Sequence, residues 1–132
     1  MKTILVDAVY TFIVENSNGD FEIFPEMFNL LQQYENQKLV LTNASDDKFE
    51  QYKLNDLPYK FFTLKHNPEK TNPEYFKILL NTYALKAEDV IYFEHNIKAV
   101  KSAESVGIKA YFYDENKKDL VELKNFLDIN LT

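Results

Sequence analysis

The chain reads as an α/β domain, a doubly wound Rossmann-like parallel sheet with helices on both faces, and three observations lead there. Residues 3–7, TILVD, form a near-continuous apolar run that ends in an acid. Such a run suits a strand covered on both faces, which has no reason to alternate. Strand-like and helix-like stretches then alternate along the chain, which calls for parallel neighbours joined by right-handed crossovers. Polar side chains also gather where strands end, at Asp7, Thr42 and Glu94. The crevice outside the carboxyl ends of strands is where open α/β sheets bind ligands.

After Asp7 the chain makes a turn that closes on the Thr11 hydroxyl. Taken alone, Asp7 has a plainer reading as the cap of that turn. Residues 11–14 and 21–24 are β-rich and flank ENSNGD. The Asn18-Gly19 pair between them is a strong hairpin signal, because a primed turn needs positive φ. A small flap over the crevice is expected. Pro25 stands at a first helical position, and Met27, Phe28, Leu30, Leu31 and Tyr34 recur at helical spacing. Residues 38–41 form a second buried strand ending in Thr42-Asn43. Ser45, Asp46 and Asp47 open a weaker helix over 47–54, and residues 59–64, aromatic and β-branched, read as a third strand. Asn72 and Pro73 are the cap and first residue of a helix running to about 85. Residues 90–93 are the fourth strand, followed by Glu94-His95-Asn96. A helix over 97–106 stops at Gly107, the residue expected just past a helix end. Residues 108–113 give a fifth strand and 118–127 an amphipathic last helix. The sheet order expected is 3-2-1-4-5.

Composition sets further bounds. A chain of 132 residues has the size of one domain, 1–132, with one core. Its net charge of −6 argues against nucleic acid and anionic membrane as partners, since both reward Lys and Arg clusters. All fifteen basic residues are Lys, so a bound anion would meet ammonium groups, hydroxyls and backbone N–H groups rather than a guanidinium fork. With no Cys, disulfides, thiolate metal sites and Cys nucleophiles are excluded, and a cytoplasmic location is the expectation. Asp7 interrupts the first apolar run and no small-residue cleavage site follows, unlike a secretory signal. No stretch approaches the ~20 apolar residues of a membrane span.

Four short motifs, in order, carry a resemblance. An apolar strand leads into Asp7, Ala8, Val9, Tyr10 and Thr11. KLVLTNAS ends a second strand at Thr42. Lys70 stands just before Thr71, Asn72, Pro73 and Glu74, and VIYFEHNIKAVKSAESVGIKAYFY places Glu94 and His95 after a strand and before a helix. In this the chain resembles the haloacid dehalogenase-like (HAD) superfamily of phosphohydrolases over nearly its whole length. The resemblance implies roles. Asp7 would be the nucleophile that forms an aspartyl-phosphate. Thr42, Asn43 and Lys70 would hold the phosphoryl group, with Thr42 and Lys70 meeting the charge of the transition state. A magnesium ion would be held by Asp7, the Val9 carbonyl, Glu94 and the His95 position.

Two positions depart from the family pattern. Val9 stands where the family has its second Asp, the general acid and base, and valine moves no proton; such a loss typically forfeits about 10²- to 10⁴-fold in rate. His95 stands where a second acid is expected, and imidazole is a poor partner for magnesium. The expectation is therefore a HAD-like hydrolase of weak or unusual activity with weak magnesium binding, or else a catalytically silent relative that binds a ligand or protein. A receiver-like phospho-acceptor domain shares the size and sheet type. It wants an Asp at the end of the third strand, where Thr63, Leu64 and Lys65 stand. The short connections leave no room for a cap domain. An open crevice of this kind suits a macromolecular or phosphoprotein substrate, or a homo-oligomer that supplies a lid in trans, to which part of the twenty aromatic residues would contribute; the partner expected from the resemblance is a phosphorylated small molecule or a phosphoprotein.

Overall fold

In a computed structural model that describes residues 1–131, the first apolar run becomes β1 (Thr3–Asp7), the centre of a five-stranded parallel sheet. Its neighbours are β4 (Lys38–Thr42) and β6 (Val90–Glu94), with β5 (Lys60–Thr63) outside β4 and β7 (Lys109–Phe112) outside β6. In chain order the five parallel strands run 3-2-1-4-5, as expected. Register pairs Asp7 with Leu41 and Val6 with Phe93, so the carboxyl ends of β1, β4 and β6 lie side by side.

The absence of alternation in β1 has the anticipated cause, because both faces of the sheet are covered. Ile4 and Val6 pack with Val40, Ile91 and Phe93 under α1 (Pro25–Leu31) and α4 (Leu120–Leu131). Leu5, Leu41 and Tyr92 pack on the opposite face under α2 (Pro73–Thr82) and α3 (Ile97–Ser105), which contribute Tyr75, Phe76, Leu79 and Ala103. Period two thus sorts each strand into two cores. Asn72 caps α2 by accepting the Glu74 N–H at 3.0 Å, with Pro73 in the first turn as expected. Gly107 follows α3 with φ of +92°, the left-handed conformation its place past a helix end requires.

The flap is present as β2 (Ile13–Glu15) paired antiparallel with β3 (Phe21–Ile23). Its turn differs from the primed type expected. Gly19 has positive φ while Asn18 does not, and Asn16 bonds both ends of a three-residue loop, accepting from Gly19 and donating to Asp20. This is a turn closed by a left-handed Gly. The helix expected over 47–54 is not formed either. Two single 3₁₀ turns, Asp46–Lys48 and Leu54–Asp56, replace it. Lys53 between them is left-handed at φ of +55°, which no continuous helix accommodates, and Phe49 and Tyr52 turn onto the Phe61 and Phe21 rings. Helix α2 stops at Thr82 rather than near 85, with Ala84 left-handed just beyond. Between β1 and β4 lie the hairpin and α1, and between β5 and α2 a short loop, so no cap domain is inserted among the described residues. Among the described residues no helix is long and apolar enough to cross a membrane.

Candidate active site

The carboxyl ends of β1, β4 and β6 open into a cleft of about 400 Å³ lined by Asp7, Val9, Thr42, Asn43, Lys70, Glu94 and His95, together with Tyr10, Lys48, Tyr52 and His66 at its mouth. Every site residue expected from the sequence is therefore in one place. Asp7 and Glu94 are the last residues of β1 and β6 and are fully buried. Two buried carboxylates this close demand compensation.

Lys70 supplies the first part. Its ammonium donates to Asp7 Oδ1 at 2.6 Å and to Glu94 Oε1 at 2.7 Å from a side chain that is itself buried. The Asn43 side-chain oxygen accepts the Lys70 backbone N–H at 2.8 Å, which ties the loop before α2 to the end of β4. The second part comes from His95. Its ring Nδ1 bonds Asp7 Oδ2 and lies 3.2 Å from Glu94 Oε2, and its backbone N–H reaches Asp7 Oδ2 at 3.2 Å. Thr11 donates its hydroxyl to the same Oδ2 at 2.6 Å, while Asn96 N–H and the Tyr92 hydroxyl donate to Glu94. Burial alone would raise the Asp7 pKa, but Lys70 and His95 hold it well below the usual carboxylate range. Burial would likewise lower those of Lys70 and His95. The facing carboxylates win in both, raising Lys70 and pushing His95 up to about 10.

Thr42 is buried beside them, and its hydroxyl accepts the Ala44 N–H at 3.1 Å, so its own proton remains for an acceptor in the cleft. Lys70 also keeps one of its three protons after serving two carboxylates. On Asp7, Oδ1 has one donor and Oδ2 has three, which makes Oδ1 the oxygen with lone-pair density to offer. Val9 borders the cleft and brings no proton-moving group; its neighbour Tyr10 is exposed, in a left-handed conformation (φ +72°), edge-on to the His95 ring.

Three participants were not singled out from the sequence. Tyr92 precedes Glu94 by two residues and so shares its face of β6; period two was the signal, masked because Tyr in an apolar run looks like core. Tyr75 lies under the site with its hydroxyl 3.0 Å from the carbonyls of both Thr42 and Phe62, joining the ends of β4 and β5. His66 follows Lys65 in a turn where both are left-handed, and nothing in the local sequence marks it as facing the cleft.

Asp7, Glu94 and His95 bring potential ligand atoms within 4.8 Å of one another, a cluster of the kind that holds metals. The fit to magnesium fails on inspection of those atoms. Magnesium wants about six oxygen ligands in octahedral array at ~2.0–2.1 Å, whereas a ring nitrogen and an ammonium already lie between the two carboxylates.

No protein-family model matches the chain, and no curated protein matches it in sequence. Solved structures do match in fold. A HAD-superfamily hydrolase from Ehrlichia chaffeensis aligns with a TM-score of 0.67 at 12% identity over all of both chains. A D,D-heptose 1,7-bisphosphate phosphatase from B. bronchiseptica, complexed with magnesium and phosphate, gives 0.67 at 13% identity over 92% of this chain and 87% of its own. A HAD family enzyme from Bacteroides thetaiotaomicron, in complex with magnesium and inorganic phosphate, gives 0.62 at 12% identity over 85% and 93%. The chain has the HAD-like fold in a capless form.

Proposed function

We propose that this chain is a single-domain HAD-type phosphohydrolase of low turnover that acts on a phosphorylated small molecule or phosphoprotein. The observation that carries the proposal is the convergence of Asp7, Thr42 and Lys70 at the floor of one cleft, in a fold shared with enzymes that hold phosphate. Asp7 Oδ1 attacks phosphorus, forming a P–O bond to the carboxylate while the ester P–O bond breaks and the alcohol oxygen leaves with the electron pair. The free protons of Thr42 and Lys70 meet the phosphoryl oxygens. Water then cleaves the acyl phosphate, releasing phosphate and restoring Asp7. Val9 offers the leaving oxygen no proton, so esters with good leaving groups react best. Neighbouring structures hold magnesium, but no step of this scheme runs through a metal.

A second reading is a catalytically silent module that binds a ligand or protein partner. The three donors on Asp7 Oδ2 favour it, because they hold electron density that a nucleophile needs. One assay separates the two. Hydrolysis of an aryl and an alkyl phosphate is measured for the parent, Asp7→Asn and Val9→Asp proteins, with and without excess magnesium, after circular dichroism has confirmed folding. The enzyme reading expects slow parental turnover, background rates from Asp7→Asn, and a gain for Val9→Asp that approaches about 10²-fold on alkyl phosphates, where leaving-group protonation matters. Equal background rates from all three overturn it in favour of the silent module.

A further inference from the structure

We infer that the His95 ring stands where a divalent cation would have to sit, so that the Asp7–Glu94 site works as a cluster closed by His95 and Lys70 without bound metal. The donor inventory leads there. Asp7 receives Lys70 Nζ on Oδ1 and Thr11 Oγ1, the His95 N–H and His95 Nδ1 on Oδ2. Glu94 receives Lys70 Nζ and the Tyr92 hydroxyl on Oε1 and the Asn96 N–H on Oε2, with His95 Nδ1 3.2 Å from Oε2 as an ion-pair contact. Each of the four carboxylate oxygens thus carries at least one protein donor, and Asp7 Oδ2 and Glu94 Oε1 carry two or more. A carboxylate oxygen engaged this way presents its lone pairs to N–H and O–H groups rather than to an ion.

Location matters as much as number. Lys70 Nζ bridges Oδ1 to Oε1 and His95 Nδ1 bridges Oδ2 to Oε2, so each gap between the two carboxylates is filled by a protein donor. To enter, a magnesium ion must expel the imidazole, and it must shed water reluctantly to gain few oxygen ligands in return. The backbone keeps the ring in place, because the His95 N–H is bonded to the same Asp7 oxygen as the ring. Asn96 caps the helix that begins immediately after, by accepting the Lys98 N–H at 3.0 Å. The ring is therefore set by the strand-to-helix junction as well as by its own contacts.

The test reads ion uptake, which keeps it separate from the phosphatase assay: either can fail without the other. Magnesium is titrated calorimetrically into the parent and into His95→Asp, which replaces the bridging ring by an oxygen ligand. Melting temperatures are recorded with millimolar magnesium and with chelator. The parent is expected to show no heat of magnesium binding and the same melting temperature in both media. His95→Asp is expected to bind magnesium at least tenfold more tightly than the parent and to melt higher in its presence. If His95→Asp does not fold, His95→Asn removes the ring while leaving the loop its polar character, and it should also gain magnesium affinity. Nitrogen NMR of the parental His95 ring gives a direct check, with resonances expected to stay unmoved in millimolar magnesium. Saturable micromolar magnesium binding by the parent, displacement of its ring resonances, or folded variants that bind no better than the parent would overturn the inference.

Discussion

Two clefts of nearly equal size open at opposite ends of the same sheet, and they differ in what lies under them. The one at the carboxyl ends, about 400 Å³, is floored by buried Asp7, Lys70 and Glu94. The one at the amino ends, about 420 Å³, is lined by Thr3, Asn36, Lys38, Tyr59, Lys60 and Tyr83. There the polar groups are already spent on structure: the Asn36 side chain donates to the Lys2 carbonyl at 2.7 Å, and the Lys38 amine donates to the carbonyl of Tyr34. Volume therefore does not distinguish them. The difference is that one end concentrates buried charges in mutual contact, at a cost in desolvation that only close pairing offsets, while the other keeps its charges near water.

The sharpest way to break this comparison is to remove the shared cation. Lys70→Met keeps most of the side-chain volume and leaves two buried carboxylates facing each other with no ammonium between them. Removal of one partner from a buried ion pair costs about 3–5 kcal/mol, a large part of the stability of an ordinary domain. Urea unfolding at neutral pH is the measurement. A loss under about 1 kcal/mol, the range of surface ion pairs, would mean that water reaches the cluster and that the two clefts are alike after all.

A smaller effect is expected from pH. The folded-state pKa of His95 rises from the ordinary 6.5 to about 10 because the pull of Asp7 and Glu94 outweighs burial, which alone would lower it. Its contribution is therefore complete below about pH 6.5 and is lost as pH rises toward 10. Asp7 works in the opposite sense. Its pKa is depressed from the ordinary 3.8, burial being outweighed by Lys70 and His95, so its contribution is present above that value and is lost in acid. The raised pKa of Lys70 keeps that residue charged throughout this range. The melting temperature of the parent should be highest near pH 4–6.5 and decline on the alkaline side. His95→Gln should flatten the alkaline decline while leaving the acid limb in place. An alkaline limb of the same slope in both proteins would show that His95 does not titrate with the cluster.

Much of this cluster was legible in the sequence, for reasons the structure makes concrete. Asp7, Thr42 and Glu94 were readable because a parallel strand buried on both faces is a short apolar run, and a polar residue at its end has only the sheet edge to occupy. Lys70 was different: it comes from a loop far along the chain, the resemblance implied for it only a phosphoryl-holding role, and its place between Asp7 and Glu94 emerges only in the structure. The bridging role of His95 was not legible at all. Sequence showed an unusual residue at an acid's position, but whether imidazole coordinates an ion or replaces one depends on where Nδ1 points. The failed helix over 47–54 has a similar origin, since its apolar residues Phe49 and Tyr52 were drawn to aromatic partners on β5 and the flap instead of sharing one helical face.

The smallest effect should come from the opposite cleft, and it completes the contrast. Lys38 is only partly buried, and burial lowers its pKa with no carboxylate pulling the other way. Its amine meets the Tyr34 carbonyl and lies 5.7 Å from the centre of the Tyr59 ring. Lys38→Met retains the stem that packs on that ring, and the freed carbonyl, close to the surface, takes water in exchange for the amine. No charge is left buried without a partner, so the change should stay within about 0.5 kcal/mol, as surface substitutions usually do. The same urea unfolding series that includes Lys70→Met measures it under identical conditions. A loss comparable to that of Lys70→Met would show that the amino-end cleft also rests on a buried cation, and the difference drawn between the two ends of the sheet would fall.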